Sequence, residues 1–142
     1  GSAHDAAMLT KKGLQDRVFI YTAMRVLSPE ARENLLRQNA LSPTYQELIT
    51  NPNMYDGKML MYEGTLISKE DKQDSWVLRF ALTKTDAGFS DVLLLTSDTE
   101  PAFQANSQVR IFGQMVGMNI GRDDQGQEET LPRLSLNLIT GK

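Results

Sequence analysis

The stretch WVLRFALT, residues Trp76–Thr83, decides the fold of this chain. Large apolar side chains occupy every second position in it, and smaller or charged side chains lie between them. Because successive side chains of a β-strand point to opposite faces of the sheet, this alternation is typical of a half-buried strand. We therefore predict a strand over these residues, with its large side chains turned into a hydrophobic core.

Four further segments have the character of strands, which makes five in all. They are Lys58–Ser68, Asp91–Thr96, Ser107–Met118 and Arg133–Leu138. Gly64 and Gly113 lie near the middle of the first and fourth strands, and glycine is common where a strand bends sharply in a small barrel. Five strands with an interruption after the third predict a closed β-barrel of the OB type, in which the fifth strand lies between the third and the fourth.

Short helices are predicted before the barrel, so the fold class is α+β. An apolar series from Leu14 to Met24 has the spacing of one helical face. Ser28-Pro29 and Ser42-Pro43 each begin a further short helix, because serine caps free backbone N–H groups and proline suits the first helical position. One more helical turn is expected near Pro101, between the third and fourth strands.

The length of 142 residues is enough for one domain with a proper core and too short for two of ordinary size. We expect residues 1–57 to form a helical region that packs on the barrel, and residues 58–142 to form the barrel. The two regions differ in charge: the first holds six basic and six acidic side chains, and the second holds nine and twelve. The whole net charge of −3 therefore lies on the barrel, which argues against nucleic acid as a partner.

The sequence offers no marked catalytic arrangement, metal site or cofactor motif. There is no cysteine, and the one histidine, His4, lies near the start of the chain, so neither a thiolate site nor a Ser-His-Asp triad is expected. The acidic segment Gly121–Glu129 fails as an EF-hand loop, because aligning Gly126 with the invariant glycine leaves no side-chain oxygen at the first and last ligand positions. An irregular cation site and acid–base chemistry by a carboxylate pair stay open. We predict a protein that is not an enzyme and needs no metal or cofactor.

Two short strings carry a resemblance to a known family. NPNMYDGK at Asn51–Lys58, followed by Gly64, resembles the entry to the first strand in a bacterial family of tRNA-anticodon-binding-like OB-fold proteins. VRIFGQ at Val109–Gln114, with Pro132 opening the last strand, is similar to that family's fourth and fifth strands. The resemblance covers roughly residues 44–140. It implies an OB-fold protein without an assigned activity, often secreted or membrane-anchored, and the family name does not itself imply tRNA binding.

The compartment stays open from the sequence. Gly1-Ser2 has the form of a remnant of a cleaved affinity tag, so a native signal peptide or anchor upstream is compatible with it. No run approaches the ~20 apolar residues that a membrane helix needs. The family resemblance implies an extracytoplasmic protein of the bacterial cell envelope, with a signal or anchor removed upstream.

The predicted binding face is the outer side of the second and third strands, where OB barrels bind their ligands. If the large side chains of Trp76–Thr83 point inward, this face carries Val77, Arg79, Leu93 and Leu95. It then has one cation and no aromatic side chain, whereas proteins that bind single-stranded nucleic acid use stacking platforms and a basic groove. The loops that flank it, residues 69–75 and 119–130, hold more acidic than basic side chains.

From this face we predict a non-enzymatic binding or assembly module whose partner is a protein or peptide. The apolar patch of Val77, Leu93 and Leu95 would form the contact, and a homo-oligomer is also open. The alternative is an OB domain that binds single-stranded nucleic acid, which rests on fold analogy alone.

Overall fold

The computed structural model describes residues 27–142. The predicted helix from Leu14 to Met24 and His4 therefore lie outside the described residues. By its contacts the chain divides into two compact units, with the boundary between Asn39 and Ala40. The division predicted from the sequence, at residue 57, stays a prediction, as does the packing of residues 1–57 on the barrel.

The described part of the first unit is one helix, α1, which spans Pro29–Asn39. It begins as predicted: the Ser28 hydroxyl oxygen accepts a hydrogen bond from the backbone N–H of Ala31 at 3.2 Å, with proline at the first helical position. At the other end, the amide of Asn39 donates to the carbonyl oxygen of Leu35 at 2.8 Å. No helix formed by residues 27–142 is long and apolar enough to cross a membrane.

The second unit is built around five strands that form a closed barrel. The strands are β1 (Met59–Asp71), β2 (Trp76–Thr85), β3 (Gly88–Ser97), β4 (Gln108–Arg122) and β5 (Glu128–Gly141). They are ordered β1-β2-β3-β5-β4, and β4 pairs with β1 to close the barrel. All pairs are antiparallel except β3 with β5. This is the predicted OB-type order, so the predicted fold is confirmed.

The register of β2 on β3 determines which of their side chains form the core. Phe80 pairs with Leu93, and Leu78 pairs with Leu95. Directly opposed residues of an antiparallel pair point to the same face, and all four of these side chains are fully buried. Trp76 and Leu82 are partly buried and pack against the same core cluster. The large side chains of β2 therefore point inward, as the sequence predicted.

The same register corrects one prediction. Leu93 and Leu95 were expected on the outer face, but their side chains lie inside the barrel with no exposed surface. Leu94, which lies between them on β3, points outward and pairs with the outward Arg79. A strand has a period of two, so an error of one residue moves every side chain to the other face. The run VLLL at Val92–Leu95 is apolar throughout and gives no period from which to choose.

Two further helices precede β1 in the second unit. Helix α2 spans Tyr45–Thr50, and the short α3 spans Pro52–Tyr55. The cap of α2 is the side chain of Thr44, not Ser42 as the sequence suggested. Leu48 of α2 is fully buried in the barrel core, and the buried Tyr62 hydroxyl donates to the carbonyl oxygen of Pro43 at 2.7 Å. The helix that covers part of the core thus comes before β1.

The connection from β3 to β4 differs from the prediction. A helical turn was expected near Pro101, but the described residues 98–107 hold only bends, turns and irregular chain. Pro101 is buried, and its carbonyl oxygen accepts a hydrogen bond from Lys69 Nζ at 3.0 Å. The segment is fixed to the end of β1 by this contact in place of a helix.

Gly64 lies at a close approach of β1 to β2. A Cβ atom on Gly64 would stand 2.2 Å from the carbonyl oxygen of Ala81 and 2.9 Å from Cζ of Phe80. Glycine is therefore required for close approach to β2, at the point where β1 leaves its pairing with β4 and takes up pairing with β2. A bulge between Leu66 and Ser68 follows directly, and bulges increase the local bend of a strand.

Phe80 tests the core. We expect Phe80→Ala to lower the free energy of unfolding by about 3–5 kcal/mol, because it removes a fully buried ring and leaves a cavity. Phe89→Ala is the matched control, since Phe89 keeps 36% of its surface exposed. Urea denaturation of both variants measures the difference, and equal losses would contradict the assigned core.

Gly64→Ala tests the close approach of β1 to β2. The new methyl group meets a backbone oxygen that cannot move aside cheaply, so we expect a loss of about 1–3 kcal/mol or more. Gly121→Ala is the control, because the nearest atom to a Cβ there is Asn119 Nδ2 at 3.5 Å. Similar thermal midpoints for the two variants would show that the strands separate more easily than this packing implies.

Candidate binding groove

A groove of about 340 Å³ lies on the outer side of β2 and β3. Side chains and backbone from all five strands and from the β1–β2 and β4–β5 loops line it, which is where OB barrels bind ligands. The lining residues are Ser68, Glu70, Lys72, Val77, Arg79, Leu94, Asn119, Gly121, Arg122, Asp124 and Glu129. We call this set the groove.

The floor of the groove is formed by β2 and β3. Val77 and Arg79 alternate with the core residues of β2, and Leu94 stands opposite Arg79. All three side chains are partly buried. The floor therefore joins two small apolar surfaces to one guanidinium group, and no aromatic side chain is among the residues that line it.

Arg79 makes the strongest polar contact in the groove. Its Nη1 donates to Glu129 Oε2 at 3.3 Å, and its Nη2 donates to Glu129 Oε1. The pair is bidentate, with 29% and 25% of the two side chains exposed, so it is shielded from solvent but not buried. The hydrogen bond to Glu129 raises the pKa of Arg79, burial opposes the rise, and the charges of Glu129, Asp124 and Asp123 add to it.

The other cations of the groove stand on its rim. Lys72 Nζ lies 2.8 Å from Glu70 Oε2, and both side chains are more than half exposed. This hydrogen bond lowers the pKa of Glu70. Arg122 donates through Nη1 to the carbonyl oxygen of Gly126 at 2.8 Å and keeps its charge at the surface. With Arg79, the groove holds three cations against the three carboxylates of Glu70, Asp124 and Glu129.

The β4–β5 loop is a tight turn in which one carboxylate has a structural role. Asp123 Oδ1 accepts hydrogen bonds from the backbone N–H groups of Gln125 and Gln127, both at 2.9 Å. Gly126 adopts a φ of 79°, a conformation that favours glycine. Asp123 is thus occupied in the turn. The described residues 27–142 contain no group of three or more acidic or histidine side chains arranged to hold a metal ion.

Sequence reasoning found part of this groove. Val77 and Arg79 line it as predicted, whereas Leu93 and Leu95 are in the core and cannot meet a ligand from outside. The role of Val77 and Arg79 in binding stays a prediction. Leu94 and Glu129 were missed. Glu129 lies 50 residues from Arg79 along the chain, so only the fold brings the pair together.

No protein-family model and no curated protein matches the chain. Solved structures of similar fold include the mitochondrial single-stranded DNA-binding protein Rim1 of S. cerevisiae, at 15% identity and a TM-score of 0.42, covering 60% of this chain and 94% of that one. A small single-stranded DNA-binding protein of Streptomyces coelicolor has 14% identity and a TM-score of 0.40, covering 59% and 93%. An aspartyl-tRNA synthetase of Entamoeba histolytica has 8% identity and a TM-score of 0.42, and its match covers 72% of this chain but 22% of the synthetase. These likenesses concern the fold alone.

The predicted partner is corrected here. The sequence argued for a protein or peptide partner and against nucleic acid, whereas the solved structures of similar fold include single-stranded DNA-binding proteins. The reason for the error is structural, since the apolar patch that motivated a protein partner required Leu93 and Leu95 at the surface, and both are fully buried. The place in the cell envelope stays a prediction.

The Arg79–Glu129 pair can be tested through stability. We expect Glu129→Gln to lower the free energy of unfolding by at most about 1 kcal/mol, because the pair is partly solvated and ion pairs of this kind are screened. Glu128→Gln removes the same charge from the adjacent, exposed position outside the groove. Urea titrations at low salt measure both, and an equal effect of the two substitutions would mean that the pair contributes nothing beyond net charge.

Proposed function

We propose that this chain binds single-stranded nucleic acid in the groove on the outer side of β2 and β3. The observation that carries the proposal is the position of the groove on the barrel. It lies over the two strands and between the two loops that OB folds use for oligonucleotides. The aromatic platforms of strong binders are missing from its lining, so the proposed binding is modest and without marked sequence preference.

The floor and the rim of the groove suit different parts of a strand. In this proposal Val77 and Leu94 contact the flat faces of bases, and Lys72, Arg79 and Arg122 contact phosphates. The guanidinium group of Arg79 is the best phosphate ligand of the three, because its donors form a planar fork. The negative net charge of the chain works against long-range attraction, so contact within the groove must supply the affinity.

The expected binding is weak and depends on salt. We expect a dissociation constant for oligothymidylate in the range of roughly 10⁻⁴–10⁻⁶ M, as for non-specific binding in general. Each phosphate contact of a single strand contributes ~−0.7 to the slope of log affinity against log salt. Three contacts should therefore give a slope of about −2. Fluorescence anisotropy with a labelled oligonucleotide over a salt series measures both quantities.

Two variants connect this binding to the groove. Arg79→Gln should weaken binding and reduce the magnitude of the salt slope by ~0.7, the share of one phosphate contact. Lys142→Gln is the matched control: it also removes one positive charge, but Lys142 pairs with Glu63 and lies outside the groove. Loss of affinity in both variants to the same extent, or no binding by the unaltered chain even at low salt, would overturn the proposal.

A further inference from the structure

The fork of Arg79 is already filled by a carboxylate. Both Glu129 oxygens face the guanidinium group, one bond to each terminal nitrogen. This is the bidentate arrangement in which arginine also takes a phosphate. A phosphate can use this fork only if Glu129 leaves it.

The chain holds Glu129 at that position. Glu129 belongs to β5, where it pairs in register with Gly121 of β4, so it stands next to the turn of the hairpin that forms one wall of the groove. The turn of this hairpin is closed by hydrogen bonds between Asp123 and Gln127. Backbone pairing therefore keeps the side chain of Glu129 beside Arg79, where it competes with phosphate for the guanidinium group.

We propose that Glu129 limits the affinity of the groove for anionic ligands by occupying the phosphate-binding fork of Arg79. This inference rests on the proposed function, because it names the residue that sets the strength of the same site. Phosphate and Glu129 exchange on Arg79, so each binding event requires the carboxylate to turn away. Asp124 also lines the groove and lies near enough to raise the pKa of Arg79, so its charge further disfavours a phosphate at this position.

The charges that face Arg79 define the controls. Glu129 touches the guanidinium group, and Asp123 and Asp124 act on it across the groove from the β4–β5 hairpin. Glu128 neighbours Glu129 on β5 but is exposed and outside the groove. Comparing Glu129→Gln with Glu128→Gln therefore separates occupation of the fork from a general change of net charge.

The experiment measures binding of a labelled oligothymidylate of about 16 nucleotides by anisotropy at one low salt concentration. Glu129→Gln should bind roughly three- to tenfold more tightly than the unaltered chain, and Glu128→Gln should differ from it by less than about twofold. The gain should vanish in the double variant Arg79→Gln with Glu129→Gln, measured against Arg79→Gln alone. Glu129→Thr, which suits a strand, repeats the test with a different side chain, and thermal unfolding confirms that each variant is folded.

The outcomes distinguish the two proposals. If Glu129→Gln and Glu128→Gln tighten binding equally, or if Glu129→Gln weakens it, the role of Glu129 is overturned while binding by the unaltered chain stands. If only the Glu129 variants bind, the role of Glu129 is supported and the proposed function of the unaltered chain is overturned. If no variant binds at low salt, both proposals fail.

Discussion

The pairing of Phe80 with Leu93 across β2 and β3 is the constraint on which the rest of the structure depends. It turns both side chains into the barrel, and by alternation it turns Arg79 and Leu94 out of it. The register of β2 on β3 therefore determines both which side chains form the core and which form the floor of the groove. A shift of one residue would expose the core side chains and bury a guanidinium group, at a cost that no small change elsewhere could offset.

Local pattern was enough to predict most of the fold. The alternation in Trp76–Thr83 gave the direction of each side chain in β2, and the apolar segments gave the number of strands. The order of the strands followed from the OB-type barrel that five strands with an interruption after the third indicate. The strands extend further than predicted. β1 and β4 continue past the core without buried side chains, and there backbone pairing maintains the strand, so hydrophobic period alone cannot find their ends. β5 begins earlier than predicted, at Glu128, and its first residues include the buried Leu131.

The site was predicted less completely, for reasons that differ between residues. The apolar run Val92–Leu95 fits either face, and only its partner strand decides which leucines are buried. The contact of Arg79 with Glu129 depends on closure of the barrel, since β5 lies beside β3 by a parallel pairing that no short-range signal announces. Charge counting had treated the acids of the β4–β5 loop as one repulsive group. In the fold these four acids have different surroundings: Asp123 forms the turn, Asp124 and Glu129 line the groove, and Glu128 is exposed outside it.

The parallel pairing of β3 with β5 has a mechanical consequence. It joins Leu94, Leu95 and Thr96 to Arg133, Leu134 and Ser135, and it is the shortest ladder of the barrel, whereas β4 and β5 pair along most of their length. Because fewer paired residues join β3 to β5 than join any other two neighbouring strands, we expect this pair to separate more readily than the others. Leu94 belongs both to that ladder and to the floor of the groove. A ligand that contacts Leu94 in the groove therefore also contacts the strand pair that is joined by the fewest paired residues.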